Sequence, residues 1–215
     1  LHAVCAHAHR RLGSFKARGL SSVLYGLGLL GFRRDGFLEA ACENALGRLG
    51  ELNAQDVSNT VYALGLLELR HDGFLGGVGG MMPGRLREFT GQGLANVVYS
   101  MGLLQYRHEG LLQAVCEHLP HRMEELTEQH VSNVIYALGL LTFPHSRLLR
   151  AVAAHGPRLA TEFTAQGLCI TAYGLALLWP HPLSCGSPSC GRGSAPGRVT
   201  PASPTRAAAR LARSA

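Results

Sequence analysis

The eleven-residue stretch Val57-Ser-Asn-Thr-Val-Tyr-Ala-Leu-Gly-Leu-Leu67 occurs five times in this chain, beginning at residues 20, 57, 94, 131 and 168, always 37 residues apart. Tyr25, Tyr62, Tyr99, Tyr136 and Tyr173 share one slot, and the last two leucines are present in every copy. A unit of this length cannot bury its own apolar face and must lean on a neighbour, which is the condition for a stacked-repeat architecture. The period therefore predicts an elongated array rather than a single globule.

The unit Asp35 to Leu69 shows what each copy builds. Phe37, Leu38, Ala41, Cys42, Ala45 and Leu49 recur at helical spacing behind Asp35, which the pattern makes a helix cap, with Asp72 and Ser146 in the same slot. Asn53, Thr90, Thr127 and Thr164 stand where a second helix begins, and all four are good N-cap residues. Two helices per unit give an all-α fold, an α-solenoid of about five stacked 37-residue helix-turn-helix repeats spanning residues 1–179. Pro83, Pro120 and Pro157 share a slot late in the first helix and predict a break there, because proline removes a donor and clashes with the preceding turn. Gly28, Gly65, Gly102 and Gly139 (Ala176 in the last copy) lie mid-helix, where glycine costs about 0.8–1.0 kcal/mol against alanine, so the slot predicts close passage of two helices. Gly76, Gly77, Gly79, Gly80 and Gly84 make the first helix of the third unit the expected weak point or hinge.

Beyond Leu178 the pattern stops. Residues 180–215 are rich in Pro, Ser, Gly, Ala and Arg and read as a disordered tail. Leu1 falls in the slot of Leu38, inside a helix, so the array reads as part of a longer one with any targeting segment upstream. The longest run of apolar residues and glycine, Val134 to Leu141, is far below the roughly 20 residues a bilayer requires.

Composition narrows the chemistry. Of the net charge of +6, the tail carries +5 (Arg192, Arg198, Arg206, Arg210, Arg213, no acid), leaving 15 basic against 14 acidic residues in the array. The chain's basicity thus says little about the repeats, and an argument for nucleic acid must come from charge position. Cys5, Cys42 and Cys116 share a small slot with Gly79 and Ala153, which suits buried reduced thiols, and Cys185 and Cys190 lack metal-ligand spacing. Histidines in one slot lie a full repeat apart, roughly 10 Å by helix-packing distances, too far to share an ion. Gly26-Leu-Gly-Leu-Leu-Gly31 matches the dinucleotide fingerprint in letters, but it lies inside the repeated helix with no strand before it. No catalytic set is visible, and the expectation is a protein without enzymatic activity or cofactor.

Three ladders remain. Arg33, Arg70 and Arg107 recur in the loop between units beside His71, His108 and His145; Arg11, Arg48, Arg85 and Arg122 recur near the proline slot, with Arg158 one residue off register. Stacking would space either set at roughly 10 Å, a spacing that can follow a phosphate backbone, although arginine near a helix C-terminus also offsets the dipole. The third ladder is polar. Gln55, Gln92, Gln129 and Gln166 precede Asn59, Asn96 and Asn133 by one helical turn, on the face of the tyrosines. Amides can read base edges and tyrosines can stack bases, yet the sameness of these residues from copy to copy favours a structural role. Slots that vary are the better candidates for base contact: Asp56 and His130 at the start of the second helix, and Asn44, His118 and His155 in the first.

The elements Leu119-Pro120, Gln129 to Asn133 and Tyr136 to Leu138 together resemble the heptatricopeptide and octotricopeptide repeats, the former by period, over Leu1 to Leu178. Related repeats precede FAST-kinase and RAP domains, although no RAP-type segment follows here. Tyr stands where that family often has Trp, Ile170 replaces Asn in the last copy, and Arg18 and Ser22 replace Gln and Asn in the first. The resemblance implies a binder of single-stranded RNA in mitochondrion or plastid, acting with other proteins in RNA processing, stability, editing or rRNA assembly. The alternative is a protein-interaction scaffold of the armadillo or tetratricopeptide kind, for which the near-neutral array speaks.

Overall fold

Five helix pairs follow one another in the computed structural model, which describes residues 1–179. The pairs are α1 (His2–Arg10) with α2 (Ala17–Leu30), α3 (Asp35–Gly47) with α4 (Ala54–Leu66), α5 (Asp72–Met81) with α6 (Gly91–Leu103), and α7 (Glu109–His118) with α8 (Glu128–Leu140). In the fifth, the first helix is divided into α9 (Ser146–Ala154) and α10 (Gly156–Glu162), followed by α11 (Ala165–Leu178). The second helices α2, α4, α6, α8 and α11 pack in series as one layer, and α1, α3, α5, α7 and α9 form the other. Between the layers runs one continuous core, from Leu20 and Leu24 through Phe37, Phe74, Leu111 and Ile135 to Leu159. The predicted tail lies outside the described residues.

The second-helix layer is the tighter one, and its glycine slot explains why. A methyl built on Gly28 would lie 2.8 Å from the Ala63 Cα, and one on Gly102 would lie 2.6 Å from the Ala137 Cβ. Gly65 meets Ser100, and Gly139 meets the Gly174 backbone, in the same way. Real side-chain carbons do not approach this closely, so the glycines are what let neighbouring second helices touch backbone to backbone.

The proline slot breaks the first helix as expected. Pro83 and Pro120 begin 3-10 turns directly behind α5 and α7, and Pro157 sits in the first turn of α10. Each second helix except the last ends with an overlapping pair of backbone bonds, such as Leu69 N–H to Leu64 O at 3.0 Å and Tyr106 N–H to Met101 O at 2.9 Å. The residue that turns the chain there has positive φ: Gly31 in the first unit, but Glu68, Gln105 and Thr142 in the next three. A side chain in this conformation costs roughly 1–2 kcal/mol unless something holds it.

One expectation needs correcting. Asp35, Asp72 and Ser146 are first residues of their helices, not caps; the caps of α5, α7 and α9 are His71, His108 and His145. The histidine Nδ1 accepts the backbone N–H of Phe74 (3.0 Å), Leu111 (3.2 Å) and Leu148 (3.3 Å), the task usually given to Ser or Asp. The glycine-rich α5 is continuous from Asp72 to Met81, and its glycines make room for neighbours. A methyl on Gly79 would strike the His108 ring at 2.4 Å, one on Gly77 would strike Leu46, and one on Gly76 would press on the Tyr106 hydroxyl. Asn53, Thr90, Thr127 and Thr164 cap the second helices as predicted. Cys5, Cys42 and Cys116 are buried free thiols, and burial pushes Cys42 and Cys116 up to about 12.

Candidate nucleic-acid interface

Both arginine ladders are engaged inside the array, and they reach in opposite directions. Arg33 pairs with Asp35 at 2.6 Å and donates to the carbonyls of Leu67 (3.0 Å) and Glu68 (2.8 Å) in the following unit. Arg70 pairs with Asp72 and donates to Gln105 O at 2.9 Å; Arg107 pairs with Glu109 and donates to Leu141 O and Thr142 O at 3.1 and 3.2 Å. The acceptors are the last carbonyls of a second helix, the negative end of its dipole, and include those of Glu68, Gln105 and Thr142, the three non-glycine residues held at positive φ. Arg70 and Arg107 also lie over the rings of Tyr106 and Phe143, at 5.2 and 5.4 Å.

The second ladder points backwards. Arg48 donates to Phe15 O at 2.7 Å, Arg85 to Leu52 O at 3.1 Å, Arg122 to Phe89 O, and Arg158 to Met123 O and Leu126 O at 3.0 and 3.1 Å. Arg48, Arg85 and Arg122 are each clamped by a glutamate three residues on: Glu51, Glu88 and Glu125. Their guanidinium groups hold these carboxyls below the usual carboxylate range. Arg11, the first rung, stands apart: it is exposed, and its slot three residues on holds Ser14 instead of an acid.

The varying slots are also partly spent. Asp56 is buried in a reciprocal cap with Asn53, and its carbonyl accepts from Ser21 at 2.9 Å. His130 forms the same box with Thr127, and burial lowers its pKa. His155 bridges Ala151 O and Glu124 at 2.9 and 3.1 Å. Asn44 Oδ1 and His118 Nε2 are buried without a partner among the described residues, and burial, then Arg122, lowers the His118 pKa.

The amide ladder is what stays open. Gln55, Gln92 and Gln129 are exposed along the second-helix layer, with Asn59, Asn96 and Asn133 half-buried one turn on. Gln55 donates to Asn59 at 2.8 Å, whereas the amides of Gln92, Asn96, Gln129 and Asn133 make no protein hydrogen bond among the described residues. Beside them the tyrosines close on one another. Tyr25 and Tyr62 rings are 6.4 Å apart, Tyr136 and Tyr173 rings 6.1 Å, and Tyr99 lies between Tyr62 and Tyr136. Tyr99 and Tyr136 are buried in a small apolar cluster with Leu103, and burial raises both phenol pKa values, so these two rings offer no face to a base.

A family model described as RNA-editing substrate-binding complex 6 protein matches residues 3–146. The chain belongs to that family. No curated protein matches it. The match of this RNA-editing substrate-binding complex 6 family member spans both arginine ladders up to Arg122 and the amide ladder from Gln55 to Asn133.

One feature escaped the reading by whole-array charge. Residues 1–34 carry six basic side chains (Arg10, Arg11, Lys16, Arg18, Arg33, Arg34) and no acid, whereas residues 35–179 carry 9 basic and 14 acidic ones. Near-neutrality of the array is the sum of a cationic first unit and an anionic remainder. Taking charge unit by unit would have found it.

Proposed function

We propose that this chain binds single-stranded RNA without catalysing a reaction on it, as one component of a mitochondrial RNA-processing assembly. Its family is named for a complex that binds RNA-editing substrates, which supports RNA processing, the mitochondrion and protein partners together. The observation that carries direct RNA contact is the open amide ladder. Gln92, Asn96, Gln129 and Asn133 each offer a donor pair and an acceptor, the combination that pairs with exposed base edges. Unstacked bases of a single strand can reach such a row; bases paired in an A-form duplex, whose major groove is deep and narrow, cannot. The Leu119-Pro120 step and the Gln129 to Asn133 segment support assigning the repeats to the heptatricopeptide class.

Fluorescence anisotropy with labelled single- and double-stranded RNA tests the reading. The single strand binds at least tenfold tighter, and changing Gln92, Asn96, Gln129 and Asn133 together to Ala reduces that binding at least about thirtyfold, at a cost of roughly 0.5–1.5 kcal/mol per amide hydrogen bond lost. Equal binding of both forms, or none, sinks it. A second reading, an interaction scaffold for proteins, is favoured by one specific observation: the rungs of both ladders from Arg33 onward are committed to carbonyls and carboxylates of the array itself.

A further inference from the structure

The repeat permits a comparison, slot by slot, of the edge where the first helix of a unit turns into the second. In units two to four this edge holds an arginine clamped by a glutamate (Arg48 with Glu51, Arg85 with Glu88, Arg122 with Glu125), a neutral cap (Asn53, Thr90, Thr127) and a neutral amide (Gln55, Gln92, Gln129). In the first unit the arginine slot keeps its arginine, Arg11, and the other three slots have changed toward positive charge. Ser14 replaces the glutamate, Lys16 replaces the cap and Arg18 replaces the amide, while Arg10 stands where the next two units have Gly47 and Gly84. Arg10, Arg11, Lys16 and Arg18 are all exposed, and their side chains have no hydrogen bond or ion pair among the described residues.

The local relief matches the charge. A shallow depression beside Arg11 is lined by His7, Ser14 and Phe15. A second opens at the start of α3, where Arg34 stands in the slot that holds the capping histidine in later units. Arg34 reaches His2 at 3.0 Å and, with Cys5, His9, Arg10 and Phe37, lines a hollow. Arg18 heads the row that continues as Gln55, Gln92 and Gln129, so the cationic edge runs directly into the open amide ladder.

We propose that Arg10, Arg11, Lys16 and Arg18 form the phosphate-binding site of the array, holding the backbone of a single-stranded RNA whose bases then lie along the amide ladder. This rests on the RNA reading above and changes where the phosphates sit, from ladders spread over all units to one edge of the first. Unpaired cations release counterions on meeting a polyanion, whereas arginines already paired with carboxylates must first give up that pairing.

Matched double variants of the full chain test it, with a labelled fifteen-residue oligouridylate as probe. Arg11→Glu/Arg18→Glu is compared with Arg87→Glu/Arg150→Glu, which reverses two exposed arginines in later units without a partner among the described residues. Both alter net charge equally, and the five arginines beyond residue 179 are common to both. The edge pair lowers affinity at least tenfold and flattens the slope of log affinity against log salt by about 1.4, at about 0.7 per phosphate contact for single strands, while the control pair changes affinity less than about twofold. Equal losses from both pairs, or an edge pair that binds as the unaltered chain does, overturns the site but leaves RNA binding standing. An unaltered chain that ignores the probe overturns both. Tighter binding to polyglutamate than to oligouridylate of equal charge assigns the edge to an acidic protein instead, and overturns the site as a phosphate holder.

Discussion

The two helix layers of this array are joined by different physics. The second helices approach closely, backbone against backbone, through Gly28, Gly65, Gly102 and Gly139. The turns at either end of the first helices are instead tied by long polar arms, arginines that reach the carbonyls of second-helix ends and turns in neighbouring units, while histidines cap helix starts. A methyl too many in the first kind of contact has nowhere to go, whereas an arm lost from the second kind leaves groups that water can partly satisfy. The tight layer should therefore be intolerant and the armed layer graded.

The sharpest way to break this contrast is Gly102→Val. Its side chain would enter the space of Ala137, and overpacking against a backbone should cost about 2–3 kcal/mol, read as a lowered urea midpoint. Gly26→Ala, on the same layer but with nothing within 4 Å of the new methyl, should instead stabilise by about 0.5–1 kcal/mol. If the two glycines respond alike, the close approach is not what selects glycine. In the armed layer, Arg107→Ala removes donors to Leu141 O and Thr142 O that hold a turn at positive φ. The loss should be about 1 kcal/mol, because these carbonyls remain reachable by water. Combining it with Thr142→Gly should recover part of that loss in thermal melts, since glycine accepts the turn unaided. His108→Ala should cost about 1 kcal/mol and His108→Asn much less, as asparagine is among the best caps.

The smallest effect is the response to acid. Hydrogen bonds from arginine partners hold the carboxyl groups of Asp35, Asp72, Glu51, Glu88 and Glu125 below the usual carboxylate range. A group whose folded pKa is depressed adds stability above its unfolded pKa and loses it as pH falls through the folded one. The carboxylates should thus lower the melting temperature below about pH 4, more gently in a variant with Glu51, Glu88 and Glu125 changed to Gln, while the half-buried His118 and His130, whose pKa is lowered, add a separate decline that begins below about pH 6.5 in both proteins. These pairs are exposed and salt-screened, so 1 M NaCl should reduce the difference.

Most of the architecture was legible in the chain itself. The 37-residue period set the number of units, the shared proline set the breaks, and Asn53, Thr90, Thr127 and Thr164 set the second-helix starts, because each acts on backbone a few residues away. Where the arginines point was decided only by the tertiary structure. Their acceptors are main-chain carbonyls 32 to 35 residues distant, and a carbonyl carries no signature in the letters of a sequence. The histidine caps were missed for a related reason: Asp35, Asp72 and Ser146 are the better cap types, but the chain turns one residue earlier, and an imidazole Nδ1 accepts as well as an oxygen. Regular spacing made two rows of cations visible; only the packing of one unit on the next showed that the array uses them on itself.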